Sequence, residues 1–204
     1  MLEKFVILIT LLYSTTIFGY DDTRVREIII SEVLSHEGDK LVRTQKELSK
    51  YGIRNFLLLD YNKKFQKDYE IKTLTEEQAR EIAEHLLIDY RLDEIKHSYS
   101  QMMIFDIFFN GGYNAGAVVT QRALKRYKPS EEIVVDGILG SKTIKVINSV
   151  EDHEKFIDLI TEERIAYYKS LNSWEIYGKG WEKRINAYKV KLKEMAMVDN
   201  GNRI

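Results

Sequence analysis

The chain of 204 residues contains no cysteine and a single proline, and its formal net charge is -1. The missing cysteine excludes disulfides, thiol nucleophiles and thiolate metal sites. The balanced charge argues against a cationic nucleic-acid binder, because binding to the phosphate backbone draws on an excess of Lys and Arg. The four histidines are never four residues apart, so we expect no metal and no cofactor. Carboxylate, hydroxyl and amide chemistry remain, or binding without chemistry.

Long apolar runs are also scarce, and the clearest one lies near the start of the chain. The run from Phe5 to Leu12 is apolar except for Thr10, follows a short segment with one lysine, and leads to Gly19. This pattern predicts a secretory signal peptide over residues 1–19, with a buried N-terminal helix or a retained anchor as the alternative. We therefore expect an exported protein, periplasmic or extracellular, with no stable membrane span after cleavage.

Hydrophobic periodicity over the rest of the chain predicts an all-α fold. A capping box at Thr75 to Gln78 opens a helix with a regular apolar stripe. The segment from Ser98 to Asn110 is apolar on nearly every side, which predicts a central helix surrounded by others. Further helices are predicted at residues 23–35, 114–127, 141–150, 152–171 and 180–195. The segment 38–73 shows no such period and is expected to be irregular.

Glu37 is the first candidate for chemistry. It follows Val33 by four residues, so both share the inward face of the first helix, and Gly38 is suited to end that helix. Partial burial and the negative end of the helix dipole would raise the pKa of this carboxyl, as a general acid requires. A surface glutamate at a frayed helix end is the other interpretation, and position alone leaves both open.

Several short motifs follow one another in a fixed order. The helix ending in Glu37-Gly38 is followed by the turn Tyr51-Gly52-Ile53. The later motifs are Leu74 to Ala79, Phe105 to Gly112 with an aspartate four residues before an asparagine, Gln121 to Leu124, Asp136 to Thr143, Glu163 to Tyr168, and Tyr177 to Arg184. The ordered set resembles glycoside hydrolase family 108, which consists of lysozyme-like N-acetylmuramidases.

This resemblance implies a lysozyme-like helical catalytic region over residues 20–112 and a small helical peptidoglycan-binding region over residues 113–204. It implies a monomer that acts on peptidoglycan glycan strands and cleaves the bond between N-acetylmuramic acid and N-acetylglucosamine. Glu37 takes the role of the general acid that protonates the glycosidic oxygen. Ser49 falls where the family usually has a threonine, and its hydroxyl either orients a water molecule or caps the turn.

The sequence departs from the family in the loop after Glu37, which is shorter and lacks paired glycines. The second carboxylate that glycosidases ordinarily use is therefore unassigned, with Asp39, Glu47 and Asp60 as candidates. Two alternatives follow from this departure. One is a catalytically silent peptidoglycan-binding module, and the other is a lytic transglycosylase, which needs no base to activate water.

Asp106 and Asn110 stand one turn apart on the apolar central helix, so both need hydrogen-bond partners if they are buried. For Asp106 we favour a structural network that ties the helix to the loop after Glu37. Asn110 precedes two glycines and Tyr113, so we predict that it contacts the N-acetyl group of a sugar while Tyr113 offers a stacking face.

The last helices carry two tryptophans and several basic residues. We interpret Trp174 and Trp181 as core anchors rather than sugar-binding rings, since large aromatic side chains are usually well buried. We interpret Lys183 and Arg184 as part of a solvated face.

Overall fold

A computed structural model describes residues 22–37, 39–43 and 48–201 of the protein, and the side chains of residues 26–34, 39–43 and 48–194. The described chain forms eight α-helices, one short 3₁₀ helix and a small sheet. Helices α1 to α8 run over Asp22–Glu37, Asn55–Phe65, Glu76–Asp89, Ser98–Gly111, Tyr113–Tyr127, Ser141–Ile147, His153–Lys169 and Trp174–Gly201, and the 3₁₀ helix over Leu92–Glu94. The prediction of a mainly helical fold is confirmed.

The central helix α4 is buried on all sides, as its sequence predicts. Ile104, Phe105 and Ile107 are fully buried, and the helix packs against α1, α3, α5, α7 and α8. One hydrophobic cluster includes side chains on both sides of residue 112, among them Phe105 and Phe156. The division into two regions at that residue stays a prediction.

The capping box at the start of α3 is confirmed. Thr75 Oγ1 accepts a hydrogen bond from the backbone N–H of Gln78 (3.3 Å), and Gln78 Oε1 accepts one from the backbone N–H of Thr75 (3.0 Å). Two otherwise unpaired backbone donors are thereby satisfied, which explains why this helix begins at a sharply defined position.

The prediction of an irregular segment over 38–73 is wrong. Three short antiparallel strands, β1 (Val42–Arg43), β2 (Leu48–Lys50) and β3 (Ile53–Arg54), form a sheet in the order β1-β2-β3, and α2 follows directly. The strands are too short to show an alternating pattern, and no side chain caps the start of α2. Periodicity and capping therefore gave no signal here.

The motif Tyr51-Gly52 is the loop of the β2–β3 hairpin. Lys50 pairs with Ile53, so only two residues connect the strands, and their φ angles are 53° and 74°. Two positive φ angles in a two-residue loop define the turn type that matches the twist of antiparallel strands. Glycine suits the second position because it adopts positive φ without strain.

The last helix is longer than predicted, since it begins at Trp174 instead of Gly180. Its glycines suggest a break, yet Gly178 is buried beneath a ring: a Cβ there would lie 2.4 Å from the indole of Trp174. The packing of Trp174 over Gly178 compensates the low helix propensity of glycine. None of the described helices combines the length and the apolar character needed to cross a bilayer.

Candidate functional site

A cleft of about 360 Å³ opens between the sheet, the end of α4 and the last two long helices. Its polar lining combines three arginines with one amide, and its apolar lining is mainly aromatic. The residues are Arg54, Asn110, Gly111, Arg164, Tyr167, Tyr168, Leu171, Trp181, Arg184 and Ile185. These residues come from β3, α4, α7, α8 and the turn between α7 and α8, and they lie up to 131 positions apart in the chain (54 to 185).

The hairpin brings Arg54 to one edge of the cleft, and Ser49 is its partner in the strand pairing. Ser49 and Arg54 are directly opposite each other in the β2–β3 pairing. Opposite residues in an antiparallel pair project to the same face of the sheet, so the half-buried Ser49 lies beside the arginine that lines the cleft. Ser49 itself is not among the residues that line the cleft, and its predicted role stays a prediction.

Asn110 lies at the floor of the cleft in a fixed orientation. Its Nδ2 donates to the backbone carbonyl of Asp106 (2.8 Å) and to Asp106 Oδ1 (3.0 Å), and its Oδ1 accepts from Arg184 Nη1 (3.0 Å). An amide oxygen has two lone pairs, so one acceptor position of Asn110 is left for a ligand. The side chain is thus arranged to accept a hydrogen bond from an N–H or O–H group.

Below Asn110, two arginines converge on the buried carboxylate of Asp106. Arg164 Nη1 donates to Asp106 Oδ2 (2.5 Å), and Arg184 Nη2 donates to Asp106 Oδ1 (3.0 Å). Burial alone would raise the pKa of Asp106, but the charges of Arg164 and Arg184 outweigh it and hold the pKa below its ordinary value. Burial likewise opposes the charge of Arg164, yet Asp106 keeps the pKa of this guanidinium above its usual value.

The structural network predicted for Asp106 is present, but its described partners are the last two long helices. The interpretation of Arg184 as part of a solvated face is wrong. Its side chain is 31% exposed and forms hydrogen bonds to both Asp106 and Asn110. The charge pattern of α8 does not indicate this, because Arg184 is preceded by the exposed Lys183 in a helix rich in charges; the one local signal is its place at the end of the Tyr177 to Arg184 motif.

Aromatic rings form the wall of the cleft opposite the hairpin. The ring centroids of Tyr168 and Trp181 are 5.1 Å apart, and those of Tyr177 and Trp181 are 5.7 Å apart. Trp181 is half-buried, so it both packs against its neighbours and presents part of its indole to the cleft. Trp181 therefore packs against other rings, as the interpretation of a core anchor requires, and in addition it lines the cleft.

Unlike Asn110, none of the candidate carboxylates is among the described residues that line the cleft. Glu37 is the last residue of α1, and its side chain lies outside the described part of the structure, as does the whole of Glu47. Asp39 and Asp60 are exposed and are not among the residues that line the cleft. Their roles stay predictions.

Tyr113 takes part in a different arrangement. Its ring packs against Phe108 and Tyr90, and its hydroxyl accepts a hydrogen bond from the backbone N–H of Leu139 (3.1 Å). It is not among the cleft-lining residues, and its predicted contact with a sugar stays a prediction. Within the described residues, no group of three or more His, Cys, Asp or Glu side chains is suited to hold a metal ion.

No family model matches the chain, and no curated protein matches its sequence. Solved structures do match, and one of them is SagA of Brucella abortus. The two chains are 18% identical, with a TM-score of 0.69, and the match covers 84% of this chain and 95% of SagA. The protein therefore shares its fold with SagA over nearly the whole length of that chain.

Proposed function

We propose that the protein is a peptidoglycan hydrolase, an N-acetylmuramidase that cleaves the bond between N-acetylmuramic acid and N-acetylglucosamine. The observation that carries this proposal is the convergence of separate motifs on one cleft. Four segments line it: Arg54 of the hairpin, the end of the central helix, the Arg164 to Tyr168 segment and the Trp181 to Arg184 segment. Three of these lie in motifs that resemble glycoside hydrolase family 108, and Arg54 directly follows a fourth such motif, the Tyr51-Gly52-Ile53 turn.

The cleft has the chemistry that a sugar chain requires. Trp181 and Tyr167 present aromatic surface, against which the apolar face of a pyranose ring packs. Asn110 has an acceptor position left for the N–H of an N-acetyl group. A small number of oriented polar groups among aromatic ones is typical of ligand sites.

Glu37 acts as the general acid in this proposal, and one ion pair between α1 and α8 lies close in sequence to both Glu37 and the cleft. Glu32 on α1 forms an ion pair with Lys191 on α8 (2.5 Å), and Arg184 at the cleft lies seven residues before Lys191, about 10 Å along the helix axis. Glu37 lies five residues beyond Glu32, about 7.5 Å along α1. The end of α1 and the cleft are thus each within two helical turns of the same contact.

In the proposed reaction the carboxyl of Glu37 donates its proton to the glycosidic oxygen as the bond to the anomeric carbon breaks. Water then adds to the anomeric carbon and loses a proton, so the products are two shorter chains, one with a new reducing end. Asp39, Glu47 and Asp60 are the candidates for the base or stabilising carboxylate, and we assign the orientation of the water to Ser49, which pairs with Arg54 in the sheet.

A second candidate is favoured by one observation: among the described residues that line the cleft, none is Asp or Glu. A lytic transglycosylase needs only one acid. The C6 hydroxyl of the muramic acid attacks its own anomeric carbon and releases a proton, while the leaving oxygen gains one. The product carries a 1,6-anhydro ring in place of a reducing end.

Digestion of purified peptidoglycan, with mass spectrometry of the soluble products, separates these activities. New reducing ends support the hydrolase, and 1,6-anhydro ends select the transglycosylase. Sedimentation with the sacculi but no soluble product would overturn both and leave a silent binding module. Because the substrate lies outside the cytoplasmic membrane, we also propose that the protein is exported, as residues 1–19 predict.

The role of Glu37 is tested with Glu37→Gln, which we expect to lower the cleavage rate by about 100-fold or more. Glu27→Gln is the matched control, since Glu27 is an exposed residue of the same helix. Circular dichroism of both variants confirms the fold. Full activity of Glu37→Gln would overturn the mechanism.

A further inference from the structure

Arg54 differs from the other two arginines of the cleft in its charge environment. Arg164 and Arg184 both contact Asp106, which compensates part of their charge. Arg54 lines the same cleft and is half-buried. It has no carboxylate within ion-pair distance among the described residues. The cleft therefore contains a cation whose hydrogen-bond donors face no described anion.

The guanidinium of Arg54 contacts a ring and a stretch of backbone, and its hydrogen-bond donors are not used by any of the residues that the structure describes. Its central carbon lies 4.6 Å from the ring centroid of Phe56. A Cβ on Gly112 would lie 3.3 Å from Nη2, so the guanidinium sits against the bare backbone at the end of α4, near Asn110. A guanidinium donates hydrogen bonds in its own plane, so its contact with the face of a ring does not consume them.

The ligand that suits this arrangement carries a carboxylate. A planar anion with two oxygens matches the two-pronged donor edge of arginine better than a neutral hydroxyl does. Aromatic rings and the acceptor of Asn110 suit an N-acetylated sugar in the same cleft. N-acetylmuramic acid differs from N-acetylglucosamine by a lactyl ether. This ether ends in a free carboxylate where the stem peptide has been removed, and in a neutral amide where the peptide is still attached.

We infer that Arg54 binds the free lactyl carboxylate of muramic acid residues that have lost their stem peptide, and that it makes the cleft selective for these acidic glycans over neutral N-acetylated ones. This inference rests on the proposed function, and it names the residue that distinguishes peptide-free glycan strands from chitin and from strands whose lactyl groups are amides. Arg54 is a specificity-determining residue in this account, and it takes no part in bond cleavage.

The test measures binding of three tetrasaccharides of equal length by calorimetry, in the Glu37→Gln background to prevent cleavage. They are the peptide-free peptidoglycan tetrasaccharide, the same compound with its lactyl carboxylates converted to amides, and chitotetraose. We expect the acidic compound to bind roughly tenfold more tightly than its amide, because hydrogen bonds to a charged group exceed those to a neutral one.

Arg54→Gln should abolish this preference and leave the affinity for the amide and for chitotetraose within about twofold. Arg54→Lys keeps the charge without the two-pronged edge and should retain part of the preference. Arg122→Gln makes the same change of charge at an exposed position of α5 that does not line the cleft, and should leave the preference intact.

Two results would overturn the inference while the proposed function stands. One is equal affinity for the acid and its amide when Arg54 is present. The other is a loss of affinity in Arg54→Gln that is the same for both ligands. Failure to bind any of the three compounds, together with no products from peptidoglycan, would overturn the proposed function and the inference together.

Discussion

The carboxylate of Asp106 on the central helix accepts a hydrogen bond of 2.5 Å from the guanidinium of Arg164, 58 residues away in the chain. Both side chains are almost fully buried, and Arg184 adds a second ion pair to the same carboxylate from the partly exposed side. This cluster links α4, α7 and α8 immediately beneath the cleft. The stability of this cluster and the shape of the candidate site are therefore coupled.

Replacing Asp106 with Asn should destabilise the protein strongly. The substitution leaves Arg164 charged and buried without its counter-ion, which typically costs about 3 to 5 kcal/mol. Urea unfolding followed by circular dichroism measures the change. Asp158→Asn is the matched control, because Asp158 pairs with Lys189 and Lys193 while 39% exposed and should cost less than about 1 kcal/mol. Equal effects of the two substitutions would contradict the burial argument.

Asn110→Ala should weaken binding of acidic and neutral N-acetylated tetrasaccharides by similar factors, about fivefold, because it removes one neutral hydrogen bond that both ligands share. This separates its role from that of Arg54, whose loss should affect only the acidic ligand. Asn186→Ala, at an exposed position of α8, is the control. A loss confined to the acidic ligand would show that Asn110 does not contact the N-acetyl group.

Gly137→Ala should destabilise the protein by about 2 kcal/mol or more, because Gly137 lies in the turn over residues 136–140 that precedes α6. The buried side chain of Gln121 holds this turn by bonds to Asp136, to the backbone N–H of Gly137 and to the carbonyl of Ile138. Gly137 has a φ of +75°, and a Cβ there would lie 2.3 Å from Nδ2 of Asn114.

Gly140→Ala, in the same turn, provides the comparison. Gly140 has a φ of -83°, and no atom lies within 4 Å of the Cβ that the substitution adds. We expect its melting temperature to change little, since alanine adopts this backbone conformation without strain. Similar melting temperatures for the two variants would argue against strain at Gly137.

Glu81 should make stability depend on pH at the acidic end. Hydrogen bonds from Lys67 and Tyr69, with a further one from Tyr61, lower its pKa from 4.5 to about 2. Because the folded pKa is below the unfolded one, this stabilisation is fully present above about pH 4.5 and is lost as pH falls towards 2.

Glu81→Gln should flatten the pH dependence of the unfolding free energy between pH 4.5 and 2. It should cost about 1 kcal/mol at neutral pH, a modest value because the side chain is 32% exposed. Glu84→Gln, exposed on the same helix, should leave the profile unchanged. Parallel profiles for the original protein and Glu81→Gln would refute the assignment.

The features predicted correctly from the sequence depend on neighbours along the chain. The capping box at Thr75 requires only a residue three positions away, and the burial of α4 follows from an apolar run that leaves no polar face. The need of Asp106 for a structural network follows in the same way, because a carboxylate on such a helix must find partners.

The tertiary structure decided which groups meet. Arg54, Arg164 and Arg184 lie on a strand and two helices far apart in sequence, and no local pattern indicates that all three line one cleft. The hairpin pairs Lys50 with Ile53 next to a two-residue turn and Ser49 with Arg54 beyond them, although its strands are too short to show a period. Local sequence therefore determined most of the helices, with α2 as an exception, and the polar groups that need partners. The identity of those partners, and the cleft they surround, depended on packing between distant segments, because buried charges are stabilised only by the counter-charges that the fold brings to them.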